Sequence, residues 1–570
     1  MTTTLHTSAG VYFEEVNDRS VQAALLTGGI ATLVMPAPRG VVGQNMKILA
    51  SEFESLMGSK SGKYWQNVEI LRLLSKQANY INFTRVGKDV KHALTMITTY
   101  NNMSVSRPVT EGIDDLNVIV FGQKDILAAV GRHGGDNGNE YYIAYEPDLT
   151  NREVNAFNLY VYAVGSKTPL KEFKGATLFY HVDDDNRQCH IEELVNNDRT
   201  CPIMVFVNNA HFKLATDKEY AAINTIGGGA YNPNSPTTPH GQLMGGDDGM
   251  DIDVYSDDEA VRNASLALIL EGWDNYSDWE TSRVGIACDG GYAHPAIASK
   301  IDELMESRND CIGNNNVPVQ WQDYTSAVAY RHGYNKIDGM EFALSSSFST
   351  LGTNDVWMTA TAVQRGMWVP YSVALTYIML ECDKTRSWLA PAGLNRGGLP
   401  WGERLRYDFE VDKRDILNDN QINFPIHFKT AMTANDALGI FGWNADTLYG
   451  KGSALDDIGV RRLLAVLTDS TRAQFLWYNF EGNDAVLRKE LETNLRKNIL
   501  QPAKDGRGLD WFDVVVDSRN NSNQIVANGD LVVDVYLDPT RYTKRIHLNL
   551  NVAPTGEIKA VVSLIENGQV

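Results

Sequence analysis

The chain is poor in the features that most readily declare a chemistry. Its five cysteines, Cys189, Cys201, Cys288, Cys311 and Cys382, are odd in number and form no Cys-x-x-Cys pair. They read as reduced core residues, which fits a reducing compartment. No apolar run approaches the roughly 20 residues a membrane-spanning helix needs. Met1 to Ser8 is polar and lacks the basic-then-apolar pattern of a signal peptide, so the expectation is a soluble protein made in a cytoplasm, with no membrane insertion. Basic residues are in deficit: 51 Lys and Arg stand against 71 Asp and Glu, a formal charge of −20. Phosphate would be repelled, which argues against direct binding of nucleic acid. There is no internal repeat and no heptad run.

Short patterns that suggest chemistry lack the spacing to perform it. Gly58 to Tyr64 and Gly450 to Ser453 hold glycine, lysine and serine, but not the four-residue gap of a phosphate loop. The acidic run Asp247, Asp248, Asp251, Asp253, Asp257, Asp258, Glu259 offers hard oxygen ligands, yet Tyr255 and Ser256 break the EF-hand order; it reads as a solvated acidic loop. His181, Asp183, Asp184, Asp185, Cys189, His190 and Cys201 are metal-ligand types in no zinc spacing. Cys288-Asp289 with His294 has no orienting partner or oxyanion donor in view and reads as a strand end. The expectation is no catalytic residue, no metal and no cofactor.

What the chain does have is length and regular patterning. Its 570 residues suggest roughly three to four domains at about 150 residues each. Near the C-terminus, Val460, Leu463, Leu464, Leu467 and Phe475 fall mostly on one helical face. A second helix is predicted from an N-cap at Asn483, with Leu487, Leu491, Leu495 and Ile499 at four-residue spacing and Pro502 ending it. Strands are predicted at Val514 to Val516, at Leu531 to Leu537, and at Ile546, Leu548 and Leu550.

Upstream, Ile30 to Val34 reads as a buried strand, Ser51 with Glu54 as a capping box, Val68, Leu71 and Leu74 as a helix face, and Tyr80 to Val86 as a strand. Residues 87–283 read as an antiparallel, strand-rich insertion, with strands at Leu116 to Phe121, from Tyr141, at Phe157 to Tyr162 and from Gly175. Val284 to Ala287, Ile297 to Met305 and Cys311 to Gly313 read as strand, helix, strand in a parallel α/β layer. Val356 to Gln364 adds a strand, and Val369 to Leu380 a helix with Pro370 in its first turn.

Landmarks recur in one order: Gly10-Val11-Tyr12-Phe13-Glu14-Glu15-Val16, the loop Ala390 to Gly397, Asp457 to Leu464, Phe480-Glu481-Gly482-Asn483-Asp484, then Leu531 to Leu537 with Pro539, and Ile546. Together they resemble the contractile tail sheath proteins of myovirus-type bacteriophages, from Gly10 to Leu550. The resemblance implies an α/β and α+β multidomain fold. Its α/β sheath core would be formed by N- and C-terminal parts, with inserted strand-rich outer domains and extended terminal arms. The implied divisions are 1–20 (arm), 21–86 (core), 87–283 (insertion), 284–385 (α/β domain), 386–550 (C-terminal core) and 551–570 (arm).

The implied role is structural and non-enzymatic. Subunits would polymerise as stacked rings or a helix around a tail tube, then contract to drive the tube through the host envelope. Implied partners are the chain itself, the tail tube protein, and baseplate and tail terminator proteins; the implied location is the virion tail, assembled in the host cytoplasm. Strands donated between subunits would hold neighbours together while other interfaces change. The candidates are Val11, Tyr12, Phe13 and Val16 at one end, and either Ile546, Leu548 and Leu550 or Ile558 and Val562 at the other. A basic face at Arg488, Lys489, Arg496 and Lys497 is the candidate tube contact. Three alternatives stay open: a sheath of a secretion or extracellular injection machine, a hydrolase using Cys288 or the acidic loop, and a carbohydrate-binding module in 87–283.

Overall fold

The structure, a computed structural model, describes residues 28–58, 62–100, 103–109, 111–116, 118–148, 156–183, 185–208, 240–429, 439–450, 452–542 and 544. The chain enters its core at β1 (Ile30–Met35), whose six residues are all buried. A strand apolar at nearly every position, rather than at alternate ones, is one covered on both faces. It is followed by β2 (Asn45–Ile48), α1 (Phe53–Leu56), α2 (Trp65–Ser75) and β3 (Tyr80–Arg85). β3 lies parallel to β1, with Ile30 opposite Tyr80, and β2 runs antiparallel to β3.

The chain then leaves the core to build an all-antiparallel insertion. Its strands are β4 (Leu94–Tyr100), β5 (Met103–Pro108), β6 (Asp125–Gly131), β7 (Tyr141–Pro147), β8 (Phe157–Ala163) and β9 (Lys171–Ala176), then, after helix α3 (Ile191–Asn196), β10 (Ile203–Val207) and β11 (His240–Gln242). They form two four-stranded sheets, β10-β6-β4-β5 and β11-β7-β8-β9. Ile97, Leu127 and Val205 of the first share one core with Ile143, Leu159 and Val161 of the second. The predicted strand at Leu116 to Phe121 is not a strand. Val118 and Val120 point to solvent, and Leu116, Ile119 and Phe121 only cover Leu94 and Met96. The pairing position there is taken by β6. The strand expected from Gly175 instead ends at Ala176.

Back in the core come α4 (Glu259–Asp274), β12 (Ile286–Cys288), α5 (Pro295–Arg308), β13 (Ile312–Asn316), α6 (Tyr324–Arg331) and β14 (Ser349–Gly352). The chain continues through β15 (Val356–Ala360), β16 (Arg365–Val369), α7 (Tyr371–Asp383), β17 (Arg404–Leu405), α8 (Val411–Asp419), β18 (Ile422–Asn423), β19 (Pro425–Phe428) and β20 (Gly439–Gly442). Its last part is α9 (Ile458–Phe475), α10 (Ala485–Asn494), α11 (Gln501–Asp505), β21 (Leu509–Val515), α12 (Asn523–Ala527) and β22 (Asp534–Pro539).

One seven-stranded sheet, ordered β18-β14-β13-β12-β1-β3-β2, draws strands from both sides of the insertion, and only β2 is antiparallel. Leu33 and Met35 face α2 and α7 on one side, and Val34 faces α4 and α5 on the other. Local signals fix the helix ends. Asp258 accepts the Ala260 N–H before α4, and Asp323 accepts the Thr325 and Ser326 N–H groups before α6.

Four sequence-level expectations about helix ends are corrected, one being that Asp484 and not Asn483 caps α10. Ser51 and Glu54 form no capping box: Glu52 precedes α1 without a side-chain cap, and Glu54 pairs with Arg72 at 2.7 Å. Pro370 is the cap residue of α7 rather than part of its first turn. Pro502 does not end the second C-terminal helix. α10 begins after Asp484, whose carboxylate accepts the Leu487 N–H, widens into a π-helical stretch at Leu495–Leu500, and continues as α11. A proline lacks the helical N–H and crowds the carbonyl one turn back; the widened stretch ahead of Pro502 makes room for it.

Candidate assembly surfaces

Cys288, Asp289, His294 and the acidic run stand in packing, capping and ion-pair roles. Cys288 is buried against α7, and burial pushes its thiol up to about 12, so a thiolate there is disfavoured. Asp289 accepts hydrogen bonds from Ser372 Oγ–H at 2.6 Å and from the Gly291 and Asn316 N–H groups at 3.0 and 2.7 Å. His294 caps α5 by accepting the Ala296 N–H. In the acidic run, Asp248 lies 3.5 Å from buried Arg85, Asp251 pairs with Lys63, and Asp258 caps α4. Among the described residues no three His, Cys, Asp or Glu side chains stand together as a metal-binding group.

The C-terminal part carries a second core and the anchors of the first and last described stretches. α9 puts Ile458 against the main core and Leu463 and Leu467 against a second one, completed by Leu491, Leu495 and Ile499 of the next helix and by Leu509 and Val514 of β21. Each such buried side chain contributes on the order of 1.5–3 kcal/mol. β21 and β22 form a two-stranded antiparallel sheet with a bulge between Leu509 and Trp511. Trp511 and Tyr536 stand outward, each more than half exposed. Among the described residues neither outer edge of this ribbon carries a third strand. Such a ribbon is marginal alone, and its open edges offer unpaired backbone groups to an incoming strand.

Both ends of the described chain are fastened to α9. At the N-terminal side, the Gly29 N–H donates to Asp383 at 2.8 Å, and Arg462 of α9 pairs with the same carboxylate; both ionic side chains are about 95% buried or more. At the C-terminal side, Lys544 Nζ lies 2.6 Å from Asp446 and 2.6 Å from Asp457, the residue before α9, and both carboxylates are buried. Burial alone would lower the Lys544 ammonium, but its carboxylates outweigh it and hold it above the ordinary lysine value. For Asp457 burial wins and the carboxyl is raised, with Lys544 offsetting only part. Next to this anchor, Tyr542 donates to the Trp388 carbonyl at 3.3 Å, and Arg541 reaches the Ser453 carbonyl. Asp457 and Arg462 are five residues apart, about 7.5 Å along the helix axis, so the Lys544 anchor and the Asp383 pair that holds Gly29 meet α9 within one short segment.

The proposed strand-donating residues Val11, Tyr12, Phe13, Val16, Ile546, Leu548, Leu550, Ile558 and Val562 lie outside the described residues. Of the basic residues, Arg496 is bound within its own chain to Glu492 at 2.8 Å and Asp513 at 2.5 Å, and Arg488 donates to Asn483 at 3.0 Å. Lys489, paired with Glu492 at 3.0 Å, and Lys497 are the exposed pair. Sequence reading missed Asp383, Asp446, Asp457 and Lys544 as anchors. One signal was present: Arg461 and Arg462 interrupt the apolar face of α9 between Val460 and Leu463, where a cation needs a buried partner.

No family model matches the chain. In sequence it is 24% identical over 302 residues, 50% of its length, to the tail sheath protein of Enterobacteria phage T4, of which the match covers 45%. The chain spans about half the length of the curated relatives it matches. The fold is similar to that of a sheath tail protein from Listeria innocua, with a TM-score of 0.51 at 10% identity over 91% of this chain and 96% of that one. It is likewise similar to the helical sheath of the anti-feeding prophage in its contracted state, with a TM-score of 0.50 at 11% identity over 96% and 99%. The resemblance to tail sheath proteins read from the landmarks is thus present in sequence and in fold.

Proposed function

We propose that the chain is the structural subunit of a contractile phage tail sheath, which polymerises around a tail tube and contracts to drive it through a host envelope. The observation that carries this reading is the 302-residue match to a phage tail sheath protein. The anchored chain ends add physical support. A subunit that must slide past its neighbours without dissociating needs links that persist while side-chain interfaces change, and backbone-paired strands meet that need. Here the first and last described stretches, at Gly29 and Lys544, are tied to α9 through buried ion pairs, and among the described residues the β21–β22 ribbon carries no third strand. In this reading 11–16 and one of 545–550 or 557–564 are donated to neighbouring subunits, and β21–β22 receives them.

The remaining assignments follow from the same reading. The subunit is non-enzymatic; it assembles in the host cytoplasm into the virion tail and meets tube, baseplate and tail terminator proteins. Residues 87–283 form the outer domain, and the segments 21–86, 284–385 and 386–550 build the core. Tube contact through α10 and its continuation would rest on Lys489 and Lys497. A sheath of an injection machine would differ in having no capsid and DNA attached to the tail.

Negative-stain electron microscopy of the purified full-length protein at high concentration tests the proposal. Hollow, regularly striated tubes are expected. Only monomers or small closed oligomers, with the chain also absent from tails of the virus that encodes it, would sink it. Deleting residues 1–16 is expected to leave a folded monomer that forms no tubes, and normal long tubes from that truncation would remove the N-terminal arm from the mechanism.

A further inference from the structure

The insertion meets the core through a neck and a polar joint. In the neck the outgoing and returning chain run side by side, Lys91 opposite Asp247 and Leu94 opposite Met244. The joint is built by two core arginines. Arg39, in the loop after β1, donates to Asn137 Oδ1 at 2.5 Å and to Tyr141 Oη, and Arg85, at the end of β3, donates to the Gly134 carbonyl at 2.5 Å. Both arginines are buried, and all three acceptors lie in or beside the stretch that joins β6 to β7. The amides of that stretch are bonded too: the Arg132 N–H donates to the Pro202 carbonyl at 2.9 Å, and the Gly135 N–H to the Lys91 carbonyl at 2.8 Å.

His133 stands in the middle of this stretch. It lines a small cavity with Arg39, Ser55, Asn137, Tyr141 and Pro202, and its Nδ1 is buried with no hydrogen-bond partner among the described residues. The charges closest to it are of one sign: Arg39 and Arg85 from the core and Arg132 from its own stretch, with His92 of the neck beside them. Arg132 brings no carboxylate, because its guanidinium donates to main-chain carbonyls, among them Cys201 at 2.7 Å and Val195 at 2.9 Å. The acids of the neighbourhood are held elsewhere or stand in water. Asp248 lies 3.5 Å from Arg85, Asp198 pairs with Lys171 at 2.6 Å, and Asp115, Asp136 and Glu140 are exposed. The Tyr141 phenol and the Cys201 thiol are both raised by burial and stay neutral. Burial first, and then the three arginines and His92, hold the His133 imidazole well below its ordinary value. An imidazolium donates from both ring nitrogens, and here Nδ1 has no acceptor to meet.

We infer that the Arg39–Arg85 joint is an acid-sensitive latch, closed while His133 is neutral and released when His133 takes a proton, which leaves the insertion held to the core by its neck. The latch goes beyond the sheath reading and does not depend on it. Its sign follows from where the proton binds. In the released joint His133 meets water and titrates near 6.5, whereas in the closed joint it titrates lower. Above that value the ring is neutral in both forms and the latch keeps its full strength. Below it only the released form takes the proton, so each pH unit shifts the ratio about tenfold toward release until the closed-state value is passed. His92 is lowered as well, chiefly by burial, but its Nδ1 is engaged with the Gly131 carbonyl at 2.8 Å.

Amide hydrogen exchange of the dilute full-length protein, read by mass spectrometry and corrected for the intrinsic effect of pH, tests the latch. Protection in peptides covering 131–140 should fall about 30-fold between pH 7.5 and pH 5.0, while peptides within β7 and β8 keep theirs. His133→Gln should hold protection at 131–140 within about threefold over the same range, and His92→Gln should lose it as the unmodified protein does. Constant protection in the unmodified protein, or the same loss in His133→Gln, overturns the latch. A loss that His92→Gln abolishes overturns it as well, by moving the sensor to the neck. A readout free of substitution covers the case in which a variant does not fold: exchange of the imidazole C2 hydrogen titrates His133 in the unmodified chain. A midpoint below about 6.5 is expected, and one at or above it overturns the latch. Tube formation bears on neither readout, so the latch and the sheath reading fail separately.

Discussion

Lys544 Nζ lies 2.6 Å from the carboxylate of Asp457, and the same ammonium lies 2.6 Å from Asp446. One lysine, 41% exposed, thus bridges two carboxylates that are each 3% exposed and offsets one of their two charges. Removing it leaves two buried anions facing each other. Lys544→Met should destabilise the fold by about 1–2 kcal/mol, less than the 3–5 typical of a fully buried pair because the lysine is partly solvated. Adding Asp446→Asn should recover part of that loss. Chemical denaturation of the single and double variants checks it, and equal loss in both would mean that the Asp446 carboxylate does not feel the lysine.

Arg462 and Asp383 form the counterpart at the other end, and both are nearly out of water. Arg462→Met should cost about 3–5 kcal/mol, since it strands a buried carboxylate. Asp383 also accepts the Gly29 N–H, so its relaxation should loosen the start of β1. Faster hydrogen exchange in a peptide covering residues 28–35 is the expected signature, and unchanged exchange there would show that β1 is held by sheet pairing alone.

Gly459 lies in the first turn of α9, where a Cβ would sit 1.2 Å from Tyr542 Oη. Alanine is favoured over glycine inside a helix by up to about 1 kcal/mol. Overlap with the half-buried Tyr542 ring, and with the Trp388 backbone carbonyl at 2.5 Å, outweighs that gain, and overpacking of this kind costs about 1–3 kcal/mol. Gly459→Ala should therefore lower the melting temperature and expose residues 540–544 to limited proteolysis. Tyr542→Ala in the same chain should restore the melting temperature at least in part. A stabilised Gly459→Ala single variant would contradict the placement of Tyr542.

Much of this was legible in the sequence where the signal is local. Val460, Leu463 and Leu467 mark α9, the unbroken apolar run Ile30 to Val34 marks a strand covered on both faces, and strand, helix, strand across 284–313 marks the parallel layer. What stayed hidden depends on distant partners. Nothing in Ala31 or Ile286 says that they pair across the whole insertion, and nothing in Asp446 or Lys544 names the other. The π-helical stretch leaves a trace in the sequence. Leu487, Leu491, Leu495 and Ile499 repeat strictly every four residues, slower than the 3.6 of an α-helix, which a widened turn accommodates. The strand expected at Leu116 to Phe121 failed because alternation supplies one apolar face but no partner for the backbone.

The buried acid at the carboxyl end of β12 gives the chain a pH dependence with a definite sign. Asp289 is held at about 6, chiefly by burial, with the hydrogen bonds from Ser372, Gly291 and Asn316 pulling the other way. An unfolded aspartate titrates near 3.9, so between roughly pH 4 and pH 6 the folded state binds the proton that the unfolded state has released. Folding stability contributed by this group is therefore complete below pH 4, falls as pH rises through 6, and is flat above it, opposite to an aspartate stabilised by a salt bridge. The difference corresponds to on the order of 3 kcal/mol. Melting temperatures measured from pH 4 to pH 7 should fall more steeply for the unmodified protein than for Asp289→Asn, which cannot ionise there. Parallel profiles for the two proteins would mean that Ser372 and the two backbone N–H groups stabilise the carboxylate fully, and that Asp289 is ionised throughout.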